Sequence, residues 1–165
     1  GPVVNRSSYQ DFQRFTEDLS QAGRFLTGGT VLTEGKYAKG YFCAPTLAAD
    51  VPYDHPLWQQ EMFVPITTVG KFTDLEEAMR IANGVNYGLT GGFYGSPEET
   101  EWFFENIEAG VTYVNRPQGA TTGAWPGFQP FGGWKGSGST GKNGGGLYYV
   151  QLYGREQIQT RVKRS

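Results

Sequence analysis

Between Pro65 and Asn115 the chain switches repeatedly between strand and helix periodicity. "PITTVGKF" is rich in β-branched residues and reads as a strand. Asp74 then stands where a helix N-cap belongs, with Glu77 completing a capping box, and "LEEAMRIANGV" repeats apolar residues at helical spacing. "LTGGFYG" is a short strand. Ser96, Pro97 and Glu99 open a second helix, "PEETEWFFENI", and "GVTYVN" is a strand of buried type. Alternation of this kind folds into parallel neighbours joined by crossovers, so the class is α/β, a parallel-type sheet flanked by helices.

Upstream, "YQDFQRFTEDLSQA" predicts a helix capped by Ser7 or Ser8 and stopped at Gly23, with Phe12, Phe15 and Leu19 forming one apolar stripe. "FLTGGTVL" predicts a short strand and turn. "YFCAPTLAADV" is extended, and Pro45 argues for an edge or irregular strand. "DVPYDHPLWQQ" is loop, and His55 within it is most simply a surface turn residue. "LYYVQLYGREQIQTRV" alternates well enough for a long strand broken at Gly154. A terminal strand with an open edge calls for a partner, often another subunit.

Glycine supplies 25 of 165 residues and is concentrated between Gly110 and Gly146. Trp125, Phe128, Phe131 and Trp134 interrupt that stretch, which separates it from a flexible linker and suits an ordered loop lining something. Within it, "GSGSTGKN" places Gly136, Gly138 and Gly141 at G-x-G-x-x-G spacing. A dinucleotide or phosphate loop needs a core strand before it and a helix after it. Here "GFQPFGGWK" precedes and "NGGGLYYVQLY" follows, so no helix N-terminus is offered to a phosphate. Glycine in this setting lets backbone N–H groups approach a small ligand. Lys142 reads as a solvated loop lysine.

A net charge of −2, from 14 basic and 16 acidic residues, provides no pull toward nucleic acid or anionic lipid. No apolar run reaches membrane-spanning length and no secretory leader opens the chain, so neither a nucleic-acid nor a membrane partner is expected. A single cysteine, Cys43, excludes an internal disulfide and makes the cytoplasm the expected compartment. With one Cys and one His, no metal site is expected.

"EMFVP" (61–65), "NYGLTGGFYG" (86–95), "GVTYVNR" (110–116) and "QPFGGWKGSG" (129–138) together, in this order, resemble the C-terminal part of the aldehyde dehydrogenase superfamily. "NRPQGATTGAWPGFQPFGGWKGSGSTGKNGGGLYYVQLY" is more narrowly similar to its 1-pyrroline-5-carboxylate (glutamate semialdehyde) dehydrogenase branch, departing from it at Trp125-Pro126 and in the bulk of the glycine run. The resemblance implies a partial catalytic domain over 1–146 and terminal strands forming an oligomerisation segment over 147–165. It implies oxidation of glutamate semialdehyde to glutamate with NAD or NADP, and a homo-oligomer.

Residue by residue, the resemblance assigns Glu61 to the cofactor ribose and Phe63 to the side of the nicotinamide ribose. Phe131 would line the aldehyde tunnel. Gly145 and Gly146 would offer backbone N–H donors to the substrate carboxylate, with Tyr153 nearby. The nucleophilic cysteine and the general-base glutamate of the family fall upstream of this chain. Cys43 matches a structural strand and is assigned as a small buried hydrophobe. The chain alone is therefore expected to be inactive. Asn115, at a strand end, stands open between a site role and capping the loop backbone. The alternative to an enzyme fragment is a binding module of the same fold for a small acid or a protein. A sugar-binding loop domain is weaker, because helices alternate with strands.

Overall fold

The computed structural model describes residues 1–117, 127–138 and 144–163. The chain divides into two units, Gly1–Ile81 and Ala82–Ser165.

The first unit opens with α1 (Arg6–Ala22). Asn5, not Ser7 or Ser8, caps it, accepting from the Ser8 N–H at 2.9 Å. Asn and Ser cap about equally well, and Asn5 is the one whose side chain reaches the third amide of the helix. The Gly23 N–H closes the other end on the Leu19 carbonyl at 2.9 Å. Phe12, Phe15 and Leu19 are at most 2% exposed, so the predicted stripe is the core face.

That face belongs to a core cluster with Cys43, Ala48, Val51, Leu57 and Ile66. The sheet of this unit has the order β1 (Arg24–Thr27), β4 (Thr46–Ala49), β5 (Ile66–Val69). β1 runs antiparallel to β4, and β5 runs parallel to it, from Thr46↔Ile66 to Ala49↔Val69. β2 (Val31–Leu32) and β3 (Phe42–Cys43) form a separate antiparallel pair. The edge or irregular strand expected from Pro45 is instead two short strands, and the second is the centre of its sheet. Proline lacks only its own N–H. β4 starts one residue later, where the Thr46 N–H donates to the Pro65 carbonyl at 2.9 Å.

α2 (Leu75–Asn83) carries the chain from the first unit to the second. Asp74 accepts from the Glu77 N–H at 2.8 Å, as a cap should. The return arm of the expected box lands one residue early, because Glu77 accepts from the Thr73 N–H at 2.7 Å and the Thr73 hydroxyl at 2.8 Å.

In the second unit, β7 (Thr90–Phe93) and β8 (Val111–Val114) pair in parallel around α3 (Pro97–Asn106). The Ser96–Glu99 capping box is complete in both directions. Phe103 is buried and stacks on Phe93 with ring centroids 5.1 Å apart. β6 (Tyr87–Gly88) pairs antiparallel with β9 (Trp134–Lys135).

The expected long C-terminal strand has no ladder among the described residues. Val150–Tyr153 form a 3-10 turn, and residues 154–163 continue without strand pairing among the described residues. A strand needs a neighbour to satisfy its backbone, and apolar alternation alone does not supply one.

Candidate active site

In the first unit, Glu61 to Pro65 lead into the amino end of β5. Met62 and Val64 pack against the core cluster, while Glu61 and Phe63 between and beside them are exposed. Phe63 is 81% exposed, so it is not a core phenylalanine, and its backbone sits at φ +51°. A bulky residue in the left-handed region carries strain of about 1–3 kcal/mol, tolerated where the surroundings over-determine the backbone. Those surroundings are visible. The Pro65 carbonyl is tied to Thr46, and the Ile66 N–H turns back on the Val64 carbonyl at 2.7 Å. Glu61 presents an ionisable carboxylate to solvent, and a carboxylate can accept a pair of charge-assisted hydrogen bonds from a vicinal diol.

The loop before this segment is pinned by Leu57, 4% exposed, inside the 3-10 turn Pro56–Trp58. His55 caps that turn, its Nδ1 accepting from the Leu57 N–H at 3.2 Å. A groove of about 310 Å³, lined by Arg24, Asp50, Tyr53, Val69 and Lys71 among others, opens at the carboxyl ends of β4 and β5. It lies at the end of the parallel pair opposite to the entry of Glu61 and Phe63, and so is not the predicted site. Cys43 is buried on β3 opposite Val31, and burial pushes its thiol above the ordinary value. A neutral, enclosed thiol is a packing residue rather than a nucleophile.

In the second unit, the structure brings together Phe131 and the glycine run. Phe131 and Gly144 exchange backbone hydrogen bonds of 2.6 and 3.0 Å as an isolated antiparallel bridge. Gly145 and Gly146 follow at φ +63° and +70°. A Cβ on Gly146 would also stand 2.8 Å from the Pro130 nitrogen, so both conformation and space demand glycine there. Among the described residues neither the Gly145 nor the Gly146 N–H donates to a protein acceptor.

From this turn the Tyr149 N–H reaches the Gly146 carbonyl at 3.4 Å, and the Tyr153 hydroxyl donates to the Tyr149 hydroxyl at 3.0 Å. The two rings meet edge to face at 5.4 Å. That hydrogen bond, with the neighbouring phenol, holds the Tyr153 hydroxyl above its ordinary pKa. Phe131, Gly145, Gly146 and Tyr153 therefore belong to one connected region through Gly144 and Tyr149. Glu61 and Phe63 belong to the other unit. Tyr149 was not a candidate from the sequence. Its i, i+4 spacing to Tyr153 is a helical signal, hidden when the segment is read at strand period.

Asn115 is at φ +48° and pairs with Gly95 in both directions, Nδ2 to the carbonyl and Oδ1 from the N–H, each 3.0 Å. Its side chain is spent on capping backbone. Trp125, Pro126, Gly141, Lys142 and Asn143 lie outside the described residues.

The profile of the aldehyde dehydrogenase family matches residues 1–157, which include the Glu-x-Phe entry to β5 and the Phe131–Gly144 bridge. The chain belongs to the aldehyde dehydrogenase family. It is 38% identical over 151 residues to 1-pyrroline-5-carboxylate dehydrogenase of Geobacillus kaustophilus, covering 91% of this chain and 28% of that protein. The enzyme of the same name from Bacillus subtilis matches equally, at 38% over 151 residues and with the same coverage of each chain. A crystal structure of 1-pyrroline-5-carboxylate dehydrogenase from Thermus with bound NAD superposes with a TM-score of 0.83 at 39% identity, covering 93% of this chain and 28% of that one. The chain thus spans about 28% of the length of these relatives.

Proposed function

We propose that this chain is the C-terminal portion of the catalytic domain of an NAD(P)-dependent dehydrogenase that oxidises glutamate semialdehyde to glutamate in proline breakdown. The names of its relatives support this substrate, and the Gly145 and Gly146 N–H groups beside Phe131, without a protein acceptor among the described residues, are the observation that carries it. Adjacent left-handed glycines present backbone donors to an anion without a Cβ in the way. The aldehyde of this substrate carries such an anion, its α-carboxylate, at the end remote from the reacting carbon.

Glu61 would accept from the hydroxyls of the cofactor ribose, and Phe63, on its strained exposed backbone, would cover the ribose beside the nicotinamide. The exposed carboxylate and ring fit that role, since neither is committed to the core. When bound, the nicotinamide supplies a hydride acceptor. Phe131 would wall the aldehyde path and exclude water, with Gly145 and Gly146 setting how deep the substrate sits. The nucleophilic thiolate comes from a part of the protein outside this chain, so the chain alone turns nothing over. Residues 154–163, which have no strand pairing among the described residues and carry Ile158 and Val162 at 94% and 86% exposure, would add to a second subunit as its oligomerisation strand.

The test is oxidation of glutamate semialdehyde, against an aldehyde of similar length lacking the carboxylate, by the complete polypeptide with NAD and with NADP. The carboxylate-bearing substrate should be preferred by at least about tenfold in kcat/KM, as one charge-assisted contact implies. Gly146→Ala should erase the preference. Equal rates on both aldehydes would overturn the substrate assignment.

A further inference from the structure

We propose that Lys135 is the positioning residue that fixes the segment just after Phe131 in the aromatic–glycine loop, and with it the placement of Phe131. This rests on the role given to Phe131 above. Lys135 is conformationally out of place, because its φ of +52° is one that favours glycine. Its side chain explains why a lysine stands there. The ammonium donates to the Asn83 carbonyl at 2.6 Å and the Val85 carbonyl at 3.3 Å, and pairs with Glu108 Oε2 at 2.6 Å. An ammonium has three donors, and here each has an acceptor.

The acceptors come from the end of one helix and from residues two positions beyond the ends of α2 and α3. Asn83 is the last residue of α2, whose terminal carbonyls lack intrahelical partners. A cation there also meets the negative end of the helix dipole. Asn83 itself reaches the end of α3: its Nδ2 donates to the Asn106 carbonyl at 2.8 Å and its Oδ1 accepts from the Glu108 N–H at 2.9 Å. Lys135, Asn83 and Glu108 therefore weld β9 to the carboxyl ends of both helices. The Lys135 side chain is only 24% exposed, so its contacts are screened less than those of a surface pair.

The backbone around Lys135 carries the constraint toward the loop. Gly136 donates to the Asn86 carbonyl at 2.9 Å, and the Ser137 hydroxyl accepts from the Gly88 N–H at 3.1 Å. Just upstream, the Gly132 carbonyl lies so close to Gly110 that a Cβ there would stand 1.9 Å from it. Phe131 is the next residue back, and its bridge to Gly144 passes the placement on to the Gly145–Gly146 turn.

The experiment compares Lys135→Met, Lys135→Gly and Lys135→Arg in the complete polypeptide by backbone amide exchange over residues 127–138 and by steady-state kinetics. Removing the ammonium should lower protection of the Gly136 and Ser137 amides by roughly tenfold or more, as loss of charged hydrogen bonds implies. It should raise KM for glutamate semialdehyde by a similar factor, with kcat changed less and KM for the nicotinamide cofactor unchanged. Lys135→Gly relieves the backbone yet should behave as Lys135→Met, while Lys135→Arg should keep most of the wild-type protection. If Lys135→Met does not fold, Glu108→Gln, which leaves both carbonyl contacts, should show the same pattern at about threefold. Wild-type protection in Lys135→Met, full function in Lys135→Gly, or lost protection with unmoved aldehyde KM would each overturn the proposal. An inert wild-type protein would instead end the substrate assignment, and the exchange data would still decide whether Lys135 fixes the loop.

Discussion

Among the described residues, two parallel strand pairs have crossovers built in opposite ways. β7 and β8 are joined through α3, capped by Ser96 and Glu99 and seated by Phe103. β4 and β5 are joined by residues 50–65, where the only regular element is the 3-10 turn Pro56–Trp58. Parallel pairing requires only a crossover long enough to return to the same edge, and a helix is the usual solution because it satisfies its own backbone. The irregular crossover must satisfy its backbone piecemeal. His55 caps Leu57, Trp58 Nε1 donates to the Val51 carbonyl at 3.2 Å, and Pro65 receives Thr46. It also holds Asp50 and Phe63 in the left-handed region. The helical crossover commits its side chains to a seat and a cap. The irregular one leaves Glu61 and Phe63 uncommitted, and these are the residues assigned to the cofactor.

If both crossovers are fixed by one buried anchor, truncating either anchor should be the most damaging change. Phe103→Ala should cost about 3–5 kcal/mol and Leu57→Ala about 2–5 kcal/mol, measured by urea unfolding. The comparison breaks if Leu57→Ala costs less than the loss of the α3 cap, because the irregular crossover would then be held elsewhere. That cap provides the next effect. Ser96→Ala should cost about 1 kcal/mol. A Ser96→Ala variant as stable as wild type would mean that the helix draws nothing from its box.

Phe63→Gly sharpens the contrast in the other direction. A buried phenylalanine replaced by glycine is ruinous, but here the ring is exposed and the φ suits glycine. Relief of strain and loss of backbone order in the unfolded chain nearly cancel, so stability should change by less than about 1 kcal/mol. The same variant of the complete polypeptide should raise KM for the nicotinamide cofactor. A loss of several kcal/mol in unfolding experiments would show that the ring is structural.

What the sequence revealed and what it hid follow the same division. The α3 crossover was readable because cap, first-turn proline and apolar repeat are all local. The α1 stripe was readable for the same reason, and only its cap was displaced, to Asn5. Pro45 misled because strand position is a tertiary property, settled by the Pro65 carbonyl twenty residues away in sequence. The C-terminal segment departs from strand period at the 3-10 turn Val150–Tyr153, because alternation supplies no ladder by itself. Glu61 and Phe63 are assigned only by likeness to a family, since no spacing rule marks them. The Lys135, Asn83 and Glu108 contacts carry no local signal, because residues so far apart in the chain meet only once the helices are placed.

α2, the connection from β5 to β6, lies between these extremes, and it supplies the smallest expected effect. Its cap is shared between Asp74 and a Glu77 that reaches back to Thr73. The Thr73 N–H, and then its hydroxyl, hold the Glu77 carboxyl below its ordinary value, opposed by the nearby Asp74 charge and helped slightly by Arg80. A depressed folded pKa means that this contribution is fully present above the unfolded carboxylate pKa and is lost as pH falls through the folded value. The carboxylate stays open to water at the helix end, with its side chain 29% exposed, so the effect on global stability should be small, and a local probe is required. The Thr73 amide proton resonance, followed through an acid titration, should move with a midpoint below that of a free glutamate. In Glu77→Gln that transition should vanish while the Asp74 contact to residue 77 persists. A Gln variant whose Thr73 resonance titrates like wild type would assign the pH dependence to Asp74 alone and remove Glu77 from the start of α2.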